Sequence, residues 1–294
     1  MATANSSLCN ISGSVSENWS WIGCMESDIE QGMEPAHKLI ANLAVADFIF
    51  GVCGIRIAPM TFLLKFTPKI ICIGHISVLT LSAVASTNAL IALNVDRYIA
   101  ISRPLHYYQI VTPRVILLMV VLVWGIAFFN SVITSVGNRW QPDLPCVYEI
   151  VSSRISVILS SVLIMTCGAA LVSINAYIMM ISKHHQQQIH QEPSNSGLEN
   201  AGATGKSFSA ELAKHLKLAK TFGIVVGAFV VCWTPGLTML LFSVAGIHHE
   251  TLAVARGVTF ILTDCNSCTN FFLYAAKSSQ FRAAFRAVLP SRGH

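Results

Sequence analysis

Six long runs of apolar residues dominate this sequence and constrain its fold more than any other feature. The hydrocarbon core of a bilayer is about 30 Å thick, so a helix that crosses it needs about 20 mostly apolar residues. The runs reach that length and lie at residues 39–65, 72–102, 114–136, 152–182, 214–246 and 253–276. Charged residues make up only 11% of the chain, whereas a soluble domain carries about 25%. The sequence therefore predicts an all-α fold, a transmembrane helical bundle.

The same runs exclude several other classes of protein. They are continuously apolar, whereas the strands of a membrane barrel alternate in hydrophobicity over about ten residues. The sparse charge excludes disorder over most of the length. A net charge of +5 is spread too thinly for a nucleic-acid-binding protein.

The lysines and arginines indicate how the bundle lies in the membrane. Thirteen fall at one set of run ends and six at the other, and positive residues concentrate on the cytoplasmic side. The chain then divides into an amino-terminal tail (1–38), the bundle (39–276) and a carboxy-terminal segment (277–294). A polar stretch at 183–213 is predicted to be a mobile cytoplasmic loop. The last segment is predicted to contain a short amphipathic helix on the membrane surface, followed by a cytoplasmic tail.

Several ionisable residues fall at membrane depth, where each is costly and suggests a function. Asp96 and Arg97 close the second run. Asp47 is either satisfied by hydroxyls and amides of neighbouring helices or holds a small hard cation such as sodium. The candidate sodium ligands are Asp47, Ser86, Asn266 and Ser267. Asp264 and Arg56 both lie toward the outer half of their runs, and whether they form an ion pair stays open.

A set of motifs occurs in order along the runs, each on its own predicted helix: NLAVAD ending at Asp47, DRY at 96–98, Trp124, FVVCWTP at 229–235 and NSCTNFFLY at 266–274. With these motifs the chain resembles the rhodopsin-like (class A) G protein-coupled receptors from about residue 38 to 289. The segment around FVVCWTP looks most like the lysophospholipid receptors, in a cluster with melanocortin, cannabinoid and adenosine receptors.

The resemblance implies roles for individual residues. Arg97 is similar to the arginine that meets the G protein, with Asp96 as its resting partner. Trp233 and Phe229 resemble the switch at the pocket floor, although ordinary core packing would also account for them. Pro235 is expected to kink its helix. The full set implied for coupling and activation is Asp96, Arg97, Tyr98, Tyr177, Lys217, Phe229, Trp233, Pro235, Asn270 and Tyr274.

The resemblance also bears on the outer side. Cys72 stands 25 residues before Arg97, the family's spacing for a half-cystine, so a Cys72–Cys146 disulfide is implied. Leu79 stands where receptors for biogenic amines have an aspartate, which argues against an amine ligand. Basic groups in the outer half suggest an anionic or lipid-like ligand. The candidate pocket residues are Arg56, His75, Leu79, Arg154, Trp233, Arg256 and Asp264.

The family has seven spans and an extracellular amino terminus, and NLAVAD belongs to the second span. Upstream of it the sequence has no apolar run long enough to cross a membrane. Sequons for N-glycosylation nevertheless begin at Asn5, Asn10 and Asn18, as in an extracellular tail. We therefore expect a splice variant or gene model without the exon for the first helix, so that six of the seven spans are present, in preference to a true six-span protein.

The resemblance implies a multi-pass receptor of the plasma membrane that reports an unknown extracellular ligand to a heterotrimeric G protein. The alternative is a truncated, non-signalling isoform that interacts with full-length receptors. Membrane lipids are further expected partners, whereas nucleic acid is not. We expect no enzymatic activity and no cofactor other than the sodium ion, since the sequence shows no phosphate loop and no nucleophile–base constellation.

Overall fold

The computed structural model describes residues 35–63, 68–191, 202–247 and 251–277. Six long helices account for most of them, and no β-strand occurs in these ranges. We number them α1 to α6: Pro35–Leu63, Lys69–Ser102, Pro113–Val136, Arg154–Gln191, Gly202–Val244 and Thr251–Lys277. Short helices at Pro104–His106, Tyr107–Ile110 and Tyr148–Val151 lie in the connections.

Each predicted apolar run corresponds to one of the long helices, so the predicted helical bundle is confirmed. Within the described residues, four helical segments are long and apolar enough to cross a membrane: Lys69–Ser102, Pro113–Val136, Arg154–Ile181 and Gly223–Val244. The other two predicted spans correspond to α1 and α6.

The polar stretch at 183–213 differs from its prediction as a loop. Helix α4 continues to Gln191, and α5 begins at Gly202. The reason is that polarity marks solvent exposure, and a solvated helix can extend beyond the membrane when the segment contains good helix formers. The predicted amino-terminal tail with its three sequons and the predicted amphipathic helix lie outside the described residues.

Helix α2 is the centre of the bundle. It contacts α1, α3, α4 and α5, while α5 also contacts α4 and α6, and α6 returns to α1. The large apolar core follows this arrangement, with Leu43 from α1, Leu90 and Leu93 from α2, Leu171 from α4 and Val225 from α5 fully or almost fully buried. The ring of helices is therefore closed around the buried face of α2.

Polar side chains join the helices inside the bundle. Trp124 Nε1 on α3 donates to Asn42 Oδ1 on α1 at 2.7 Å. Asn175 Nδ2 on α4 donates to Asn94 Oδ1 on α2. In a membrane an unsatisfied polar group is expensive, so such bonds favour this helix arrangement over alternatives that would leave the amides unpaired.

Local sequence signals account for two further features. Pro113 stands at the first position of α3, where its missing N–H costs nothing, and the Thr112 hydroxyl accepts a hydrogen bond from the Val115 amide at 3.4 Å. Gly236 allows α5 to approach α6 closely, because a Cβ at that position would lie 2.9 Å from Thr263 Oγ1. These positions fix the start of α3 and the spacing of α5 and α6.

Candidate functional site

A buried ion pair lies at the inner end of α2. Arg97 Nε donates to Asp96 Oδ2 at 2.8 Å, and Arg97 Nη2 donates to the same oxygen. Asp96 is fully buried and Arg97 is only 2% exposed. Removing two charges from water is costly unless they are paired and hydrogen-bonded. The structure therefore places Arg97 against the partner that the family resemblance implies.

Tyr107 completes this cluster, which we call the inner lock: Asp96, Arg97 and Tyr107. The Tyr107 hydroxyl donates to Asp96 Oδ1 at 2.7 Å, so both carboxylate oxygens accept hydrogen bonds. Burial, followed by the charge and hydrogen bond of Asp96, raises the pKa of Tyr107 well above its ordinary value. The phenol accordingly stays protonated and remains a donor at physiological pH.

The sequence motifs did not identify Tyr107. It begins the short helix Tyr107–Ile110, which follows a turn of 3₁₀ helix starting at Pro104. This turn brings a residue that lies eleven positions after Asp96 back to the end of α2. The only signal in the sequence was a tyrosine pair, Tyr107 and Tyr108, shortly after DRY, and nothing in it showed which ring turns inward.

The other residues implied for coupling are only partly brought together. Tyr98 packs against Tyr177, with ring centroids 5.7 Å apart. Trp233 and Phe229 are buried in contact, with centroids 5.8 Å apart. Helix α5 continues through Pro235. The side chains of Lys217 and Tyr274 lie outside the described residues.

Asp47 is surrounded by donors from two neighbouring helices. Its Oδ1 accepts hydrogen bonds from Ser86 at 2.7 Å and Ser267 at 2.9 Å, and its Oδ2 accepts one from Asn270 Nδ2 at 3.0 Å. Ser86 and Ser267 were predicted to share this site, whereas Asn270 was assigned to the activation switch. Asn270 reaches Asp47 because it lies three residues after Ser267, on the same face of α6.

Asn266 was also predicted to contact this site, but within the described part of the chain it makes no hydrogen bond to Asp47. It lies one position before Ser267, which turns its side chain by about 100° around the helix. It is nevertheless buried, and its Oδ1 accepts no hydrogen bond from the described residues. The same is true of Asn270 Oδ1. Amide and carboxylate oxygens are ligands for hard cations. The carboxylate of Asp47 and the amide oxygens of Asn266 and Asn270 are therefore chemically suited to a sodium ion.

A cavity of about 130 Å³ opens between the outer halves of the helices. Its walls come from α1, α2, α4, α5 and α6 and from the loop between α3 and α4, and they are mostly apolar. Trp233 lines it, as do Leu79 on α2, Asp264 on α6 and Tyr148 from the loop. Burial raises the pKa of Tyr148 above its ordinary value. This cavity is a concave, largely apolar site with few polar groups, as small-molecule sites are.

The structure separates the predicted pocket residues into two groups. Leu79, Trp233 and Asp264 line the cavity, whereas the described basic residues of the set do not. Arg154 is exposed at the start of α4 and His75 is buried elsewhere. Arg256 Nε lies 3.8 Å from Glu149 Oε2, in a partly buried ion pair. The side chain of Arg56 lies outside the described residues.

No motif pointed to Glu149, because it belongs to the loop that precedes α4. Glu149 places a negative charge 3.8 Å from Arg256, although Arg256 Nε and Nη2 make no hydrogen bond to a described residue. The described basic groups of the outer half are thus exposed, paired or away from the cavity walls.

A disulfide joins the outer end of α2 to this loop, as the family resemblance implied. Cys72 and Cys146 are bonded, with Cα atoms 5.7 Å apart and a sequence separation of 74 residues. Tyr148 and Glu149 follow Cys146 closely, so the disulfide and the Glu149–Arg256 pair together hold the loop beside the cavity.

Comparison with known proteins agrees with this architecture. A family described as "7 transmembrane receptor (rhodopsin family)" matches residues 29–274. The alpha-1A adrenergic receptor of Oryzias latipes is 29% identical over 284 residues, which cover 86% of this chain and 59% of that receptor. The human alpha-1A adrenergic receptor is 28% identical, with 86% and 60% covered. Lysophosphatidic acid receptor 1 of Homo sapiens is 27% identical over 259 residues, with 87% and 67% covered.

The chain spans about three fifths of the length of these adrenergic relatives. A lysophosphatidic acid receptor is among the relatives, which is compatible with the predicted likeness, and the adrenergic receptors, outside the predicted cluster, match about as well. The family match covers the helices, the inner lock and the cavity. The chain therefore belongs to the rhodopsin family of seven-transmembrane receptors, which are multi-pass proteins of the plasma membrane and not enzymes.

Proposed function

We propose that this chain is a receptor in which a ligand in the outer cavity shifts the bundle and thereby controls access of a heterotrimeric G protein to Arg97. The observation that carries the proposal is that a single helix, α2, contributes to both the outer cavity and the inner lock. Helix α2 lines the cavity through residues such as Leu79 and ends in Asp96 and Arg97. A ligand that displaces this helix therefore also moves Asp96 and Arg97 of the inner lock.

The inner lock supplies the two states that such a receptor needs. In the closed state the guanidinium of Arg97 is desolvated and satisfied by Asp96, which is itself held by Tyr107. Opening the bundle exposes Arg97 and lets it bind a partner that offers hydrogen-bond acceptors. A ligand shifts this equilibrium only by the difference between its affinities for the two states.

Nucleotide exchange on G proteins tests the proposal. The full chain in lipid nanodiscs is mixed with purified G proteins representing each Gα class, and GTP uptake is measured for wild type, Arg97→Gln and Arg103→Gln. Arg103 is exposed just beyond α2 and serves as the matched control. We expect wild type and Arg103→Gln to accelerate exchange on at least one G protein and Arg97→Gln to lose most of the effect.

The same experiment separates the alternative. A chain that reaches the cell surface, fails to accelerate exchange on any G protein and co-purifies with full-length receptors would support the non-signalling interaction protein. An Arg97→Gln variant as active as wild type would refute the role assigned to the inner lock.

We further propose that Asp47 holds a sodium ion that favours the closed bundle. The support is the chemistry of the donor set: a buried carboxylate, the hydroxyls of Ser86 and Ser267, and buried amide oxygens on Asn266 and Asn270. A bound cation would offset the cost of the Asp47 charge at membrane depth.

A further inference from the structure

One carboxylate stands out in the outer cavity. Among the lining residues that the structure describes, Asp264 is the only one that carries a charge. The rest of the wall is hydrocarbon, aromatic rings and a few hydroxyls. Its side chain is exposed rather than buried, so the carboxylate is accessible to a cationic group that enters the cavity.

The neighbouring walls offer little to neutralise this charge. The residues of α2 that line the cavity, Leu79 among them, are all uncharged. The nearby threonine on α6, Thr263, donates instead to backbone carbonyls, with Thr259 O at 3.0 Å. Arg256 lies eight residues, about two helical turns, toward the outer end, and its Nε is 3.8 Å from Glu149 Oε2.

Three further polar atoms on the cavity wall are buried without a hydrogen bond to any described residue. They are Tyr148 Oη in the loop, Ser161 Oγ on α4 and Trp233 Nε1 on α5. Buried polar groups are normally hydrogen-bonded, and exceptions need an explanation. All three can donate, so a ligand that supplies an acceptor would satisfy at least one of them.

We propose that the cavity takes a small apolar ligand with a protonated amine, which Asp264 binds, and a hydrogen-bond acceptor that faces Ser161 and Trp233. This assignment rests on the proposed receptor function and names the ligand class for its cavity. It differs from the amine site excluded by Leu79, because the carboxylate comes from α6 rather than α2. It replaces the anionic ligand expected from the sequence.

Three probes that share one apolar body test the charge preference: cyclohexylmethylamine, cyclohexylmethanol and cyclohexanecarboxylate. A cavity of about 150 Å³ holds a benzene-sized ring, so a six-membered ring suits a space of this order. Binding to the purified full chain in nanodiscs is measured by equilibrium dialysis and by the shift in melting temperature, without G protein. Wild type is compared with Asp264→Asn, Asp264→Glu and Asp143→Asn, in which an exposed carboxylate of the outer loop is changed.

We expect the amine to bind wild type about two- to fivefold more tightly than the alcohol, since an ion pair with an exposed carboxylate is screened by water and contributes modestly. Asp264→Asn should abolish this preference, while Asp264→Glu and Asp143→Asn should retain it. The carboxylate should bind weakest to wild type.

Equal binding of the three probes, or an amine preference unchanged in Asp264→Asn, would overturn the assignment. Arg56→Gln provides a further check. An amine preference that appears only in this variant would mean that Asp264 already has a cationic partner, and would likewise overturn it. The binding assay contains no G protein, so it is independent of the nucleotide-exchange assay. If the amine binds but the chain fails to accelerate exchange, the ligand assignment stands and only the proposed receptor function is contradicted.

Discussion

Replacing Tyr107 with phenylalanine isolates the hydrogen bond that holds Asp96 in the inner lock. The change removes only the hydroxyl that donates to Asp96 Oδ1 at 2.7 Å and leaves the ring in place. The adjacent Tyr108 provides a matched control, because its ring is 69% exposed while that of Tyr107 is 5% exposed. Both variants make the same chemical change on neighbouring residues of one short helix, whose ring centroids lie 5.1 Å apart.

The size of the effect follows from burial. Asp96 is fully buried, so the freed carboxylate oxygen is not rescued by bulk water, and a hydrogen bond to a charged group contributes about 1.5–3 kcal/mol. If the bond exists only in the closed bundle, its loss shifts the equilibrium toward the open bundle by about ten- to a hundredfold, since 1.4 kcal/mol is a factor of ten.

Ligand-independent nucleotide exchange measures this shift. At matched surface expression, Tyr107→Phe should raise basal exchange on the coupled G protein several-fold, and Tyr108→Phe should match wild type. The melting temperature of Tyr107→Phe should also fall, because the closed state loses a buried bond. Basal exchange that is identical in Tyr107→Phe, Tyr108→Phe and wild type would refute the reasoning.

Three further predictions concern other parts of the bundle. Asp47→Asn should abolish any difference in basal exchange between sodium and choline buffers, and a difference that persists would place the cation elsewhere. Cys72→Ser should lower the free energy of unfolding by up to about 4 kcal/mol, from the loop that the bond to Cys146 closes; thermal unfolding with and without reductant checks this. Gly236→Ala should destabilise by about 1–3 kcal/mol through overpacking against Thr263, whereas Gly227→Ala, with nothing within 4 Å of its added Cβ, should not.

The bundle was predictable from the sequence because bilayer thickness converts directly into the length of an apolar run. Motif positions also placed Arg97, Asp96, Trp233 and the Cys72–Cys146 pair where the structure has them. These features depend on spacing within one helix or on a family pattern that covers the whole chain.

The remaining features depend on how segments fold back on one another. Tyr107 and Glu149 lie in short helices between spans, and their contacts with Asp96 and Arg256 arise only from the three-dimensional course of those connections. The choice of Asn270 over Asn266 beside Asp47 depends on the rotation of α6, which a motif does not specify. The expectation of an anionic ligand came in part from Arg256, and the sequence does not show that Glu149 lies 3.8 Å from it.

The covalent anchor of the outer loop has a consequence for how such a receptor diversifies. The loop is fixed to α2 through Cys72 and reaches over to α6 through Glu149, so its backbone position does not depend on the identity of Tyr148. Substitutions at Tyr148 should therefore change the wall of the cavity without moving the loop. They should also leave the inner lock intact, because it lies at the other end of α2 from Cys72. In the proposed receptor, ligand preference and G protein coupling can therefore change independently.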